Sequence, residues 1–476
     1  MSQDIAIARN IIVQTVGKII SLALGWTSVI ILTNYLGAAG FGSYTIMSAY
    51  LQFFGVAADL GFVLVSAQLL AERPEEKDKI FANLLTFRLL TAIALLSLSP
   101  IVIWLFPYSP IVKQGVVILV FSFFMISLLQ VFTGLFQKEL AMGRALLGEL
   151  VGRLVLLAAV LIALFAERGL LFVVWGVVFG SLANLSLAAL MARRYVKISL
   201  GFDKTIWHAI WQRSWPIALG IVFNLVYLKA DTLILSLTRS ESEVGVYGAM
   251  YRVLEVLITF PTMFAGLLLP ILAASWVRRE LTIFHNTVQR SFDAVIFMAI
   301  PLIVGAAFIA RRLSALFGPD FAEAHTILLL LVVATAVIFV GTFFGHVIVA
   351  IGKQRSMIWA YALTAVISLA GYLIFIPRYG AYGAATMTII AELLMAMLVF
   401  LGVRRFCATR LSFRCVITAL ISCLPMSLFL WLGAGLPLVF LVVGAIIIYM
   451  LLLYLLGAIN REYIAAIFNL SAGRKV

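Results

Sequence analysis

Long apolar runs are the feature that most limits what this chain can fold into. Fourteen runs of about 18 to 32 residues recur along its 476 residues, and each is long enough to cross roughly 30 Å of hydrocarbon as an α-helix. Charged residues make up only 11% of the chain and apolar residues 64%, too few charges for a water-soluble surface. The predicted fold is an all-α polytopic membrane protein with about fourteen transmembrane helices. The predicted spans are 10–36, 41–70, 80–106, 114–137, 147–166, 169–191, 214–237, 244–275, 291–310, 325–350, 356–376, 381–402, 415–432 and 435–457.

The distribution of Lys and Arg predicts how these helices are oriented. With the N-terminus inside, 25 of the 34 basic residues lie on that side, counting Lys18 and Arg153 near inner helix ends. Six lie on the opposite side and three at membrane depth. Because basic residues concentrate in cytoplasmic loops, both termini are predicted to be cytoplasmic. The net charge of +14 therefore reflects topology, and the aromatic-interleaved basic face of a nucleic-acid-binding protein is missing.

A basic spacer after six predicted helices marks the expected lobe boundary. A Gly-x-Tyr-x-x-Met string opens the second predicted helix at Gly42 and the eighth at Gly245. Its position in two six-helix halves favours a duplicated transporter with a central cavity, although coincidence explains so short a match equally well. The predicted organisation is an N-terminal lobe (1–191), a cytoplasmic linker (192–213), a C-terminal lobe (214–402) and two further helices with a cytoplasmic tail (403–476).

Ionisable side chains at membrane depth are the candidate functional groups, because a charge there is costly and usually meets a cavity or a partner. Arg88 is expected either to act on the substrate or to extend to the cytoplasmic headgroups. Glu392 has no basic residue within a helical turn, and it is expected to take up protons or to make an interhelical hydrogen bond. Asp59 is expected to line the first lobe or to pack against a neighbouring helix.

The seventh predicted helix has a polar face. Asn224 and Asp231 are seven residues apart, and Tyr227 lies between them on nearly the same face. This face is predicted to line a cavity, with an interhelical hydrogen bond as the alternative for Asp231. Lys229 points in another direction, toward a neighbouring helix, the solute or the outer interface.

The eighth predicted helix carries Arg252 and Glu255 three residues apart, a spacing that allows them to contact each other. Arg252 can instead pair with Asp231, or bind a phosphate through bidentate hydrogen bonds. Pro261 and Pro270 each remove a backbone hydrogen bond, so they are predicted to be hinges or static kinks.

The sequence contains no pattern typical of a metal site, a cofactor site or a soluble catalytic domain. Each of its three cysteines lies eight positions from the next, which is not the spacing of a metal site. Its four histidines do not cluster. Walker lysine, HExxH and GxSxG motifs are missing. The chain is therefore predicted not to be an enzyme, to need no cofactor and to draw on an ion gradient or on the gradient of its solute.

Three parts of the sequence carry a family resemblance, and they are NIIVQTVGKII...ILTNYLGAAGFGSYTIMSAYLQFFGVAADLGF, KADTLILSL...VGVYGAMYRVLEVL and IPRYGAYGAA...AE. They resemble the bacterial polysaccharide transporters, which are the O-antigen and exopolysaccharide repeat-unit flippases (Wzx-like) of the MOP exporter superfamily. The resemblance implies two six-helix bundles and alternating access. It also implies transfer of undecaprenyl-diphosphate-linked oligosaccharide from the cytoplasmic to the periplasmic leaflet of the bacterial inner membrane.

The resemblance also implies roles for the candidate residues. The cationic ones are expected to hold the diphosphate or acidic sugars, and the acidic ones to respond to H+ or Na+. The expected substrate-binding residues are Arg88, Arg252, Lys229, Asn224 and Tyr227, and the expected ion-coupling residues are Asp231, Glu255, Glu392 and Asp59. The last two predicted helices resemble the extra pair of the related lipid II flippase, where the pair forms a lipid-facing groove. Membrane lipids and a polysaccharide polymerase are the expected partners.

Two other functions share the predicted architecture. A multidrug and toxin extrusion antiporter has the same fold, but it is expected to recognise cations through acids without nearby bases, and the sequence has no clear set of these. A polytopic glycan ligase or polymerase needs a large external loop, and the longest one here is only about residues 310–324.

Overall fold

The computed structural model describes residues 3–59, 61–409 and 411–458, with side chains described in these ranges except at 3–15, 57–59, 64, 216–222 and 224–228. These residues are almost entirely helical and include no strand. The α-helices are α1 (Gln3–Asp59), α2 (Phe62–Glu72), α3 (Lys77–Leu96), α4 (Ser99–Val102), α5 (Pro110–Lys138), α6 (Met142–Phe165), α7 (Leu170–Ala192), α8 (Lys204–Thr238), α9 (Glu241–Val277), α10 (Leu281–Ala315), α11 (His325–Ala350), α12 (Ile358–Cys407), α13 (Arg414–Leu432) and α14 (Leu438–Leu455).

The helices account for all fourteen predicted spans. Eleven helical segments in the described part of the chain are long and apolar enough to cross a membrane. Two of them lie in α1 and α12, which have 57 and 50 residues. Helix α12 holds two predicted spans, and α1 holds the first span and the start of the second, which continues into α2. The span predicted at 214–237 lies in α8. The prediction of an all-α polytopic membrane protein is confirmed.

Single glycines separate the two spans within α1 and within α12. Gly37 has φ 66° and ψ −176°, and Gly380 has φ 57° and ψ −135°, so neither residue is helical. A positive φ is strained for residues with a Cβ atom but not for glycine. Two helical segments therefore meet at a kink at each glycine, without a loop between them.

The chain packs as two units, of which the first ends at Gly245. Aromatic side chains from α2, α3 and α5 form its core, where the rings of Phe81 and Phe132 meet edge to face at 5.5 Å. Helix α8 packs against α1, α2 and α3, so this unit extends beyond the predicted linker. The second unit begins at Val246, and the division into lobes at 192–213 stays a prediction.

The second unit has one core formed by α9 to α13 and a smaller one formed by α10, α13 and α14. Phe284, Phe292 and Phe344 are almost fully buried in the larger core. In the smaller core, Met426 of α13 and Leu453 of α14 pack beside Phe297 of α10. Helices α13 and α14 are therefore attached to this unit through α10.

Polar contacts hold the segment between α7 and α8 against α3. The carboxylate of Asp203 pairs with Lys79 at 2.6 Å, and its oxygen caps α8 by accepting from the backbone amides of Thr205 and Ile206. Nearby, the guanidinium of Arg213 donates to both carboxylate oxygens of Glu72, at 2.6 and 2.8 Å. The predicted cytoplasmic linker is thus an ordered connection.

These ion pairs predict that the connection between α7 and α8 is less stable at acidic pH. Hydrogen bonds from Lys79 hold the pKa of Asp203 below its usual range, and those from Arg213 do the same for the pKa of Glu72. A lowered pKa in the folded state stabilises the fold above the ordinary carboxyl pKa of ~4, and this stabilisation is lost as the pH falls through the folded value. Asp203→Asn should therefore lower the unfolding temperature at pH 7 and have little effect at pH 3.

The measurement is thermal unfolding of the detergent-solubilised protein at pH 7, 5 and 3. The matched control is Glu75→Gln, which removes an exposed carboxylate close to the same connection. An Asp203→Asn protein with the same difference from wild type at pH 7 and pH 3 would contradict the prediction.

Candidate functional site

Arg252 and Glu255 form an ion pair on α9. The guanidinium donates to the Glu255 carboxylate at 2.7 Å, and both side chains are about one-third exposed. The contact predicted from their spacing is therefore present. Arginine has five N–H donors, so this ion pair does not by itself exclude an anionic ligand. Pairing of Arg252 with Asp231 stays a prediction.

Asp231 lies fully buried in the second half of α8. One of its carboxylate oxygens accepts from the backbone amide of Thr232 at 2.5 Å and from the Thr232 hydroxyl at 3.1 Å. The side chain of Lys229 is partly buried. The side chains of Asn224, Tyr227 and Asp59 lie outside the described residues, so their roles stay predictions.

Arg88 is a fully buried part of the first unit. Its guanidinium donates to the backbone carbonyl of Ser127 at 3.0 Å and to the side-chain amide oxygen of Gln130 at 2.9 Å. It also lies over the ring of Phe62, 5.1 Å from the centroid. Because no part of the side chain is exposed, it does not extend to the headgroups. These contacts favour a role in packing, and the predicted contact with substrate is untested.

Replacement of Arg88 should therefore reduce stability. Arg88→Met removes the hydrogen bonds to the Ser127 carbonyl and to Gln130 Oε1, and losing hydrogen bonds from a buried charged group costs about 1–3 kcal/mol. Thermal unfolding in detergent measures the effect, with Arg168→Met as the control because Arg168 is exposed. An Arg88→Met protein that unfolds like wild type but no longer transports would indicate direct contact with the substrate instead.

Glu392 lies in the second half of α12 and is 4% exposed. Its Oε1 atom has no hydrogen-bond partner among the described residues. One turn earlier, the hydroxyl of Thr388 is 3.4 Å from that of Tyr372. A buried carboxylate oxygen without a partner is costly, so this position is suited to binding a proton or a cation.

The two prolines predicted as hinges lie inside a continuous helix. Helix α9 runs from Glu241 to Val277 with Pro261 and Pro270 within it. The clear departures from helical geometry are instead at Gly37 and Gly380. Hinge motion at the prolines stays a prediction.

Lys18, Ser21, Glu149 and Arg153 form a charged cluster that the sequence did not single out. The Glu149 carboxylate accepts from the Lys18 ammonium at 3.1 Å and from the Ser21 hydroxyl at 2.6 Å. Arg153 NH2 lies 3.9 Å from the same carboxylate. Lys18 and Arg153 were counted from the sequence as residues at inner helix ends. Spacing in the sequence could have indicated the two halves of this cluster. Lys18 and Ser21 are three residues apart in α1, and Glu149 and Arg153 are four apart in α6, so each pair lies on one face of its helix.

The first residues of the two Gly-x-Tyr-x-x-Met strings, Gly42 and Gly245, lie close together in the first unit. A Cβ atom added at Gly42 of α1 would overlap the carbonyl oxygen of Glu241, and one added at Gly245 of α9 would overlap that of Ala38. The Ser43 hydroxyl donates to the carboxylate of Glu241 beside this contact. The helices approach so closely because both positions lack a side chain, which gives the two glycines of the repeat a common structural role.

This contact predicts a position-specific effect within α9. Gly245→Ala should destabilise the protein by about 1–3 kcal/mol, the usual cost of overpacking. Gly266→Ala is the control in the same helix, because a Cβ atom there would meet no described atom within 4 Å and alanine favours the helix. Thermal unfolding compares the two variants, and equal unfolding temperatures would contradict the prediction.

The second unit contains an apolar groove of about 440 Å³ between α10, α11, α12 and α13. All of its lining side chains are hydrophobic, among them Phe292, Val340, Met397, Phe413 and Val416. Phe413 and Val416 belong to the start of α13, so the groove includes a helix beyond the two predicted six-helix lobes.

A comparison with models of known families shows to which family the chain belongs. The family model described as "Polysaccharide biosynthesis protein" matches residues 7–276, more than half of the chain. The chain belongs to this family. No curated protein matches it.

Solved structures show that this polysaccharide biosynthesis protein has a transporter fold. The lipid II flippase MurJ in an inward closed conformation matches 97% of this chain and 99% of its own, with a TM-score of 0.78 and 16% identity. An inward-facing multidrug resistance MATE family transporter of the MOP superfamily matches 84% and 98%, with a TM-score of 0.72 and 14% identity. A MOP superfamily transporter from Pyrococcus furiosus matches 85% and 94%, with a TM-score of 0.57 and 15% identity. This likeness confirms the predicted fold, which the chain shares with these transporters.

Proposed function

We propose that this protein is a flippase that moves undecaprenyl-diphosphate-linked oligosaccharide repeat units from the cytoplasmic to the periplasmic leaflet of the bacterial inner membrane. It does so by alternating access, with both termini in the cytoplasm, and it transports its substrate without catalysing a reaction. A polysaccharide polymerase then receives the exported unit.

The likeness to MurJ over nearly the whole chain carries this proposal. It covers 97% of the chain, whereas the MATE transporters cover 84–86%. The part that the MATE transporters leave uncovered is about as long as the region 403–476, which contains α13 and α14. Helix α13 supports the proposal further, because it contributes side chains to the apolar groove.

The groove and the charged groups together fit an amphipathic anion. A wholly apolar lining suits part of a polyprenyl chain, because burying apolar surface is favourable at about 25 cal/mol per Å². The part-exposed guanidinium of Arg252 suits a phosphate. A cation-selective antiporter of the same fold would use the acids alone and has no evident need for the groove.

Leaflet transfer in proteoliposomes tests the proposal. The probe is a fluorescent undecaprenyl-diphosphate oligosaccharide, and transfer should require the protein. Met397→Trp should slow it, because Met397 is 60% exposed and lines the groove, so a larger side chain fills the groove without entering the core.

The matched control is Val366→Trp, which adds the same side chain at a 65% exposed position of the same helix outside the groove. Efflux of cationic dyes without any transfer of the lipid would contradict the proposal and favour the antiporter.

We further propose that Glu392 couples transport to a gradient of H+ or Na+. Its burial and its carboxylate oxygen without a described partner support this role. Glu392→Gln keeps the shape of the side chain and removes its charge. Transfer by this variant should no longer respond to an imposed ion gradient, while transfer without a gradient continues. A response equal to that of wild type would rule out coupling through Glu392.

A further inference from the structure

The cluster of Lys18, Ser21, Glu149 and Arg153 has more positive than negative charge. Two cations share the carboxylate of Glu149, which leaves an excess of one positive charge. Lys18 and Ser21 both donate to that carboxylate, at 3.1 and 2.6 Å. Its demand for hydrogen bonds is thus largely met without Arg153.

The guanidinium of Arg153 is available to a ligand. Its contact with Glu149 is 3.9 Å long, beyond hydrogen-bond distance, and it makes no hydrogen bond to any other described residue. The side chain is 39% exposed. The exposed part of this side chain can therefore offer N–H donors to an anion, and the planar fork of a guanidinium matches the oxygens of a phosphate.

The missing side chain of Gly25 leaves room for the Arg153 guanidinium. A Cβ atom added at Gly25 would lie 2.9 Å from Arg153 NH1. The guanidinium therefore lies against bare backbone of α1, on the same side as Lys18 and Ser21. The two helices thus present an ammonium and a guanidinium side by side, with the carboxylate holding the ammonium.

One of the two cations of the cluster takes no part in the hydrogen bonds of its carboxylate. This cation is Arg153, which lies eleven residues into α6, about 16 Å from the start of the helix at 1.5 Å per residue. By contrast, Lys77 and Lys138 at helix ends both donate hydrogen bonds to Glu139, at 3.0 and 2.9 Å. This second cluster has the same charges, but both of its cations are hydrogen-bonded to the carboxylate.

We propose that Lys18 and Arg153 form a binding site for the diphosphate of a lipid-linked substrate, beside the Glu149 carboxylate, which offsets one of their two charges. The inference rests on the proposed function for the identity of the ligand. In the proposed orientation α6 begins on the cytoplasmic side, so the site lies within reach of a diphosphate entering from the cytoplasmic leaflet.

Ligand-induced thermal stabilisation of the purified full-length protein tests the site. The probes are geranyl diphosphate, inorganic diphosphate and geraniol, titrated in detergent at low and high salt. Geranyl diphosphate should stabilise the wild type and geraniol should not. Inorganic diphosphate acting equally well would assign the site to free diphosphate instead of a lipid-linked one, and this would overturn the proposed ligand.

Charge variants separate a binding role from a structural one. Lys18→Met and Arg153→Leu should each weaken geranyl diphosphate binding about tenfold, the effect of losing one charge-assisted hydrogen bond. Glu149→Gln should lower the unfolding temperature without ligand but keep or strengthen binding, because it removes the only negative charge of the cluster. Gly25→Ala keeps every charge and should weaken binding by displacing the guanidinium. Lys138→Met should leave binding unchanged.

The outcomes are distinguishable from those of the transport test. Wild-type binding in Lys18→Met and Arg153→Leu, or binding that falls in Glu149→Gln as much as in Arg153→Leu, would overturn the site while leaving the flippase intact. If a charge variant does not fold, binding by the wild type that is insensitive to salt overturns the proposal, since an exposed charge pair is screened. Binding without leaflet transfer would instead overturn the flippase.

Discussion

The cost of placing a polar group in hydrocarbon governs this structure. Backbone groups must be satisfied within each crossing, so the described chain is helical at every predicted span. The same cost applies to side chains. Arg88 donates to a carbonyl and an amide, Arg252 pairs with Glu255, and Lys18 pairs with Glu149. The charges at membrane depth that are most informative about function are those that such pairing leaves partly available.

Much of the fold follows from the sequence because the length of an apolar run sets the number of crossings. The breaks expected near Gly37 and Gly380 are present, and the contact between Arg252 and Glu255 follows from their spacing along one helix. The continuity of α1 and α12 through these glycines was not predictable, since hydropathy does not show whether two crossings are joined by a loop or by one residue.

The site was less predictable because its contacts join distant parts of the sequence. Lys18 and Glu149 are 131 residues apart, and only the fold brings them together. Arg88 illustrates the same difficulty. From the sequence it was expected to act on the substrate or to extend to the headgroups, because its partners Ser127 and Gln130 lie on another helix and could not be identified. The contact between Gly42 and Gly245 gives a physical reason for the short repeat, which the sequence alone could not separate from coincidence.

The proposal of a lipid-linked anion as substrate rests on two features of different chemistry. The groove beside α13 is wholly apolar, while the cluster on α1 and α6 carries an excess positive charge. Each lies in its own packing unit. A lipid chain and a diphosphate are the two parts of a prenyl-linked glycan that would need these environments.

Native mass spectrometry tests the central claim most directly. The protein would be purified in mild detergent from a bacterial host that makes undecaprenyl-diphosphate oligosaccharides and in which their export is blocked. The account predicts a bound species whose mass, after release, is that of a prenyl diphosphate carrying a repeat unit. Protein that carries only bulk phospholipid, while the glycan intermediate accumulates in the same membranes, would contradict it.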